Sequence, residues 1–144
     1  MSKLYRFESS RDVDAAAEVV WEVVSDHAHI ARWLPLRRSE LESEGILDRN
    51  GVGAIRALVA VGPPIREQII AADAPKSLRY VVLSGLPVDD YTGEISIEPK
   101  GDRSRLTWAV SLRPRLFGAQ YAVAIGVHLL AFAAARQANK IARS

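Results

Sequence analysis

The chain has 144 residues, 49% of them hydrophobic and 25% charged, an ordinary globular mixture that fits a single domain over 1–144 and excludes a disordered or fibrous chain. The net charge is only +2 and the arginines are scattered, so no cationic face points to a nucleic-acid partner. There is no cysteine, which excludes a disulfide framework, a thiolate metal site and a cysteine nucleophile.

The opening residues, Met1 to Glu8, lack the apolar core of a signal peptide, and a cytoplasmic protein is the expectation. Leu4 to Ser9 alternates and holds Tyr5 and Phe7, predicting a first strand. Asp14 is placed to cap a helix over Ala15 to Ser25, whose apolar side is Val20, Trp21, Val23 and Val24. A second short helix is expected over Ala28 to Trp33, ended by Pro35 because the residue before a proline avoids helical backbone.

The period then changes to two. Leu36 to Glu44 reads as a polar strand, and Asn50-Gly51 as the signal of a tight hairpin. Five more strands follow over Gly53 to Val61, Ile65 to Ala72, Leu78 to Ser84, Tyr91 to Glu98 and Arg105 to Leu112, punctuated by proline and glycine. Every link is short, so the sheet should be an antiparallel meander. The expected fold class is α+β: seven antiparallel strands, two short helices after the first, and a long C-terminal helix that covers the sheet.

That last helix, within Leu116 to Ser144, has no Asp, Glu, Lys or Arg from Leu116 to Ala135. It approaches the length of a membrane span. It is alanine-rich, however, and holds Gln120 and His128, and the strands before it need a cover, so no stable membrane insertion is expected. At a helical period, Phe117, Tyr121, Ala124, His128, Phe132 and Ala135 share one stripe, which reads as the floor of a cavity. Val123, Leu130, Ala133 and Ile141 form a second apolar stripe, suited to the sheet rim or to a homodimer contact.

Alternation assigns the inner faces of the strands. Leu78, Tyr80 and Val82, then Tyr91, Gly93, Ile95 and Ile97, then Leu106, Trp108, Val110 and Leu112 should point inward. In Ile65-Arg-Glu-Gln-Ile69 the inward set includes Glu67. A register that pairs Glu67 with Val59 puts this carboxylate among Ile55, Ala57 and Val61 and leaves Arg56 on the outer face. A buried carboxylate needs a partner or a proton, so Glu67 is either a structural hydrogen-bonded group or a polar anchor for a ligand. His128, set opposite its strand, is either a satisfied core histidine or a second ligand contact.

Other motifs are weak. His27 and His29 lie one residue apart but find no third ligand, so no metal is expected. Gly51-Val-Gly53 precedes no helix, so it is not a phosphate loop, and no Gly-x-Ser-x-Gly is present. No cofactor is expected.

Taken in order, Val20-Trp-Glu-Val-Val-Ser-Asp26, Arg32-Trp-Leu-Pro35, Gly51-Val-Gly-Ala-Ile-Arg56, Glu67, Ala74-Pro75, Leu78-Arg-Tyr80, Tyr91-Thr-Gly93 and Leu106-Thr-Trp108 resemble the START-like, or SRPBCC, helix-grip superfamily. More narrowly they resemble its bacterial polyketide cyclase/dehydrase and lipid transport family. The resemblance implies a cavity between sheet and C-terminal helix for a small hydrophobic ligand such as a lipid, sterol, polyketide or quinone. The ligand-contacting residues expected are Trp33, Glu67, Tyr80, Tyr91, Trp108, Phe117, Tyr121, His128 and Phe132. The leading function is non-enzymatic binding or transport. The alternatives are a cyclase or dehydratase with Glu67 or His128 as base, and a regulatory or toxin-like interaction protein.

Overall fold

The computed structural model describes residues 3–144. Strand β1 (Tyr5–Val13) leads to helix α1 (Ala17–Ser25) and a 3-10 helix (His27–Arg32). Strands β2 (Arg38–Ser43), β3 (Ile55–Val59), β4 (Ile65–Asp73), β5 (Ser77–Ser84), β6 (Val88–Lys100) and β7 (Arg103–Pro114) follow, and then helix α2 (Ala119–Ala142). The seven strands make one sheet in the order β1-β7-β6-β5-β4-β3-β2, every neighbouring pair antiparallel. Short loops force the meander from β3 to β7, the broad loop 44–54 joins β2 to β3, and only the helical crossing between β1 and β2 spans the sheet. This is the antiparallel meander covered by a long helix that the strand pattern predicts, and the architecture that the family resemblance implies.

The core lies between the sheet's inner face and the two α-helices. Leu78, Tyr80, Ile95, Leu106, Trp108, Val110 and Leu112 are buried, as their alternation requires. Val20, Val23 and Val24 of α1 pack against them.

Asp14 does not cap α1. Strand β1 pairs with β7 as far as Val13, so Asp14 lies in the bend just after the strand and the N-cap falls on Ala16, which has no side-chain acceptor. The Asp14 carboxylate pairs with Arg103, and its N–H donates to Asn139 Oδ1 at 2.8 Å. Nor does Asn50-Gly51 close a tight hairpin. Residues 44–54 form a broad loop in which Gly45 N–H donates to the Arg49 carbonyl and Ile46 N–H to that of Val52. A Cβ on Gly45 would stand 2.2 Å from the Asp48 carbonyl oxygen, so the loop closes only on glycine.

The largest correction concerns α2. Its aromatic stripe faces away from the sheet: Phe117 is 88% exposed, Tyr121 57% and Phe132 49%, and His128 is exposed as well. Of that stripe only Ala135 is buried. The helix turns inward Val127, Ala131, Ala134 and Ala138, and packs through them on β1, β7 and α1. Small side chains at this spacing let the helix axis approach an already filled sheet, where a row of rings would overpack it. Val123 and Leu130 of the second stripe flank this inner face. Ile141, at its end, is 43% exposed. α2 has the length and composition of a membrane span, but its inner face is committed to the sheet.

Candidate functional site

The site is built where β3 meets β4. The observed register pairs Arg56 with Glu67, three residues from the expected Val59 pairing. An odd shift exchanges the faces of a strand, so Arg56 points inward together with Glu67. Alternation along β3 could not show this, because Ala57 and Val59 are buried as well as Arg56 and Leu58. In β4 the pairing with β5 is irregular between Arg66 and Glu67 and again between Ile69 and Ala71, and such bulges re-aim the side chains between them.

Arg56 is 2% exposed and Glu67 6%. The Arg56 Nε–H donates to Glu67 Oε1 at 2.7 Å. Arg56 Nη1 lies 3.2 Å from His27 Nδ1, and His27 Nε2 lies 2.9 Å from the Asn50 carbonyl oxygen. A single neutral tautomer satisfies both contacts: Nε2–H donates to Asn50 and Nδ1 accepts from Arg56. Burial, and then the adjacent Arg56 charge, lower the His27 pKa to about 4, so the ring is neutral at physiological pH.

The guanidinium carbon of Arg56 stands 4.8 Å from the Tyr80 ring centroid, and Trp108 Nε1–H donates to the Tyr80 hydroxyl at 3.0 Å. Tyr80 lies across Gly93, its cross-strand partner, where a Cβ would come within 2.2 Å of the ring. Burial raises the Tyr80 pKa, with the Glu67 charge adding to it. Burial also raises that of Tyr91, followed by Tyr80 and Glu67. Both hydroxyls therefore stay protonated, available as donors but not as bases. Among the described residues no fully buried side-chain nitrogen or oxygen lacks a partner.

Beside this network is an apolar pocket of about 290 Å³ between the first half of α2, strands β3, β4 and β6, and the chain after the 3-10 helix. Leu34, Leu58, Val88, Ala122, Val123 and Leu130 line it, and Glu67 and Tyr91 are its polar groups. A void of about 30 Å³ behind it shares Leu34, Leu58, Glu67 and Leu130 and touches Arg56, Trp33, Tyr80 and Trp108. Glu67 thus stands at the junction. Its Oε1 is committed to Arg56, and its Oε2 has no hydrogen-bond partner among the described residues. A wider depression of about 480 Å³ lies between α1 and residues 46–52, with a more polar wall and no contact with Arg56 or Glu67.

The residues expected from sequence therefore divide. Glu67 and Tyr91 line the pocket, and Trp33, Tyr80 and Trp108 the void behind it. Phe117, Tyr121, His128 and Phe132 line neither. The polar partner of Glu67 is Arg56 rather than His128, with His27 next in the chain of contacts. His29 turns away to Asp26, at 2.8 Å. The readable signal for Arg56 was the counter-charge that an inward Glu67 requires. For His27 the sequence offered none beyond its place after α1.

A seven-stranded antiparallel sheet gripping a long C-terminal helix agrees with the fold expected of the family that the sequence resembles. The chain belongs to the polyketide cyclase / dehydrase and lipid transport family, whose model matches residues 5–141. Solved structures share the family's fold at low identity. A START superfamily protein from Mycobacterium smegmatis superposes with a TM-score of 0.79 at 17% identity, over 94% of this chain and 98% of that one. Norcoclaurine synthase from Thalictrum flavum, in complex with dopamine and hydroxybenzaldehyde, gives 0.70 at 18% identity, over 94% and 87%. XoxI from Bacillus cereus gives 0.72 at 20% identity, over 92% and 94%. No curated protein matches the chain in sequence.

Proposed function

We propose that this protein binds a small hydrophobic molecule in the pocket between α2 and strands β3, β4 and β6, and carries it rather than transforms it. The observation that supports this most is an apolar pocket ending on a buried carboxylate with one uncommitted oxygen. Apolar burial at about 25 cal/mol per Å² supplies affinity, so about 200 Å² of ligand surface contributes about 5 kcal/mol before ordering costs. Glu67 Oε2 accepts one hydrogen bond and fixes orientation, Tyr91 lines the wall beside it, and Trp33, Tyr80 and Trp108 hold the back of the site.

The pocket, at about 290 Å³, stands at the lower edge of the ~300–1,000 Å³ usual for ligand sites. Among lipid, polyketide, sterol and quinone-like ligands this favours molecules of one or two rings or a short chain, carrying a hydroxyl or another N–H or O–H donor. The fold neighbour solved with dopamine and hydroxybenzaldehyde holds molecules of that kind. The carrier reading rests on the state of the polar groups. Both His27 nitrogens are engaged, and Glu67 and Arg56 neutralise each other. None of these is a free base beside a substrate.

One observation favours a second reading. Arg56 is inward, and its guanidinium has N–H groups beyond the two that Glu67 and His27 use, the sort of donor that could steady an enolate in a cyclase. Native mass spectrometry of the purified protein, with and without solvent extraction, separates the cases. A carrier releases a molecule of one or two rings, and Glu67→Gln loses much of it. A cyclase Glu67→Gln instead retains ligand and loses turnover. A protein that is empty in both states sinks the pocket reading.

A further inference from the structure

The exposed face of α2 carries a continuous run of large apolar side chains. Tyr121, Ile125, Leu129 and Phe132 are 57%, 63%, 60% and 49% exposed and follow one another up the helix, with Leu116 and Phe117 exposed just before it. The same face then becomes basic at Arg136, Lys140 and Arg143. Contiguous apolar surface of this kind needs an occupant.

Charge identifies the occupant. After Asp102 the chain contains no Asp or Glu, while Arg103, Arg105, Arg113, Arg115, Arg136, Lys140 and Arg143 all lie beyond it. The first four meet Asp14, Asp12, Asp90 and Asp89. Arg136 and Lys140 meet no carboxylate among the described residues, and neither does Arg32. These three cations line one surface groove of about 430 Å³ with Trp33 and Phe132, and its lining holds no acidic residue; Glu22 and Asp26 line the neighbouring groove on the far side of Arg32 and Gln137. Arg11 adds a fourth cation over the Phe132 ring, at 5.4 Å from its centroid.

The geometry points to this face of α2 as a docking surface for an anionic lipid membrane. Ile125, Leu129 and Phe132 enter the acyl boundary, Tyr121 and Trp33 sit at headgroup depth, and Arg32, Arg136 and Lys140 meet phosphates. The inner face of α2 stays on the sheet, so the helix lies in the membrane plane and does not cross it. A second copy packed through the same face of α2 would bring Arg136 and Lys140 against their own kind, since α2 itself carries no Asp or Glu. Docking does not depend on what fills the pocket. It does have a consequence for it: Ala122, Gly126 and Leu130 of the same helix line the pocket wall, so a hydrophobic ligand could pass between bilayer and pocket with little exposure to water.

Co-sedimentation of the full chain, stripped of lipid, with vesicles tests this. The protein should pellet with phosphatidylcholine–phosphatidylglycerol vesicles, remain in solution with phosphatidylcholine alone, and be released as salt rises from about 0.05 to 0.5 M. Ile125→Glu with Leu129→Glu should abolish pelleting. Arg136→Gln with Lys140→Gln should weaken it about thirtyfold. All four positions are exposed, and unchanged far-ultraviolet circular dichroism confirms the fold in each variant. No preference for the anionic vesicles, or pelleting that survives both pairs of changes, overturns the proposal. So does a stable dimer that Ile125→Glu with Leu129→Glu dissociates, since it assigns the face to a second copy. Because lipid-stripped protein is used, an empty pocket leaves docking standing, and failure to dock leaves the pocket reading standing.

Discussion

Arg66 and Glu67 are neighbours on β4, and each forms an ion pair with a residue on another strand or strand end. Arg66 reaches Glu42 at 2.6 Å, with side chains 38% and 36% exposed. Glu67 reaches Arg56 at 2.7 Å, with side chains 8% and 2% exposed. The bond lengths are almost equal and the media are not. In water each partner of a broken pair is rehydrated at little cost, whereas in the interior the survivor is left desolvated. Distance alone therefore says nothing about which pair matters. The side of the strand decides it, and that is set by register.

The sharpest way to break the comparison is to remove one charge from the inner pair. Glu67→Gln leaves Arg56 buried beside an amide and should lower stability by about 3–5 kcal/mol, read by urea denaturation at neutral pH. The cost belongs to the orphaned guanidinium and not to the pair, so Glu67→Leu combined with Arg56→Met should regain part of it, less about 1–3 kcal/mol for leaving His27 Nδ1 without its donor. A Glu67→Gln protein as stable as the parent would mean that Arg56 escapes to solvent, and the closed network would be wrong.

A smaller effect comes from protons. His27 is held neutral inside, with its pKa lowered to about 4 from an ordinary 6.5, mainly by burial and then by Arg56. Below pH 6.5 the unfolded chain takes up a proton that the folded chain refuses. The His27 contribution is thus complete above pH 6.5, declines as pH falls, and is lost by about pH 4. The span is about 3 kcal/mol. The observable is the difference between the parent and His27→Gln, which keeps a donor and an acceptor but does not titrate. Their stability difference should shift towards the variant between pH 6.5 and 4, and a pH-independent difference would place the imidazole in solvent.

The same contrast shows how far the sequence could be read. In β6 and β7 one parity is apolar and the other largely polar, and the inner face follows directly, with Tyr91 and Trp108 on it; in β5 Arg79 marks the outer parity although Val81 and Leu83 share it, which leaves Tyr80 inside. In β3 both parities are buried, so periodicity carries no sign, and the expectation of an outward Arg56 has only an assumed register behind it. Helix α2 failed for a related reason. Its large apolar side chains and its alanines occupy different faces, and size suggested that the rings should be inside. Packing chose the alanines because space against the sheet was short, which left Phe117, Tyr121, His128 and Phe132 outside the pocket they were expected to line. Composition records how hydrophobic a face is, but the room available to it depends on neighbours that are distant in the chain. His27 illustrates the limit: its partners Arg56 and Asn50 come from β3 and from the loop before it.

The smallest expected effect lies on the outer side of β4. Arg66 donates Nε–H and Nη2–H to the two oxygens of Glu42, at 2.8 and 2.6 Å, a bidentate geometry at least as good as that of the inner pair. The bonds to Arg66 hold the Glu42 carboxyl below its usual range. Solvent nevertheless screens both groups, and two long side chains lose rotamer freedom in forming the pair. Arg66→Gln should therefore leave the melting temperature unresolved from that of the parent, and about 0.5 M salt should erase any difference seen at low ionic strength. A loss in Arg66→Gln comparable with that in Glu67→Gln would show that pair geometry, and not burial, governs β4. The two faces of the strand would then be energetically alike.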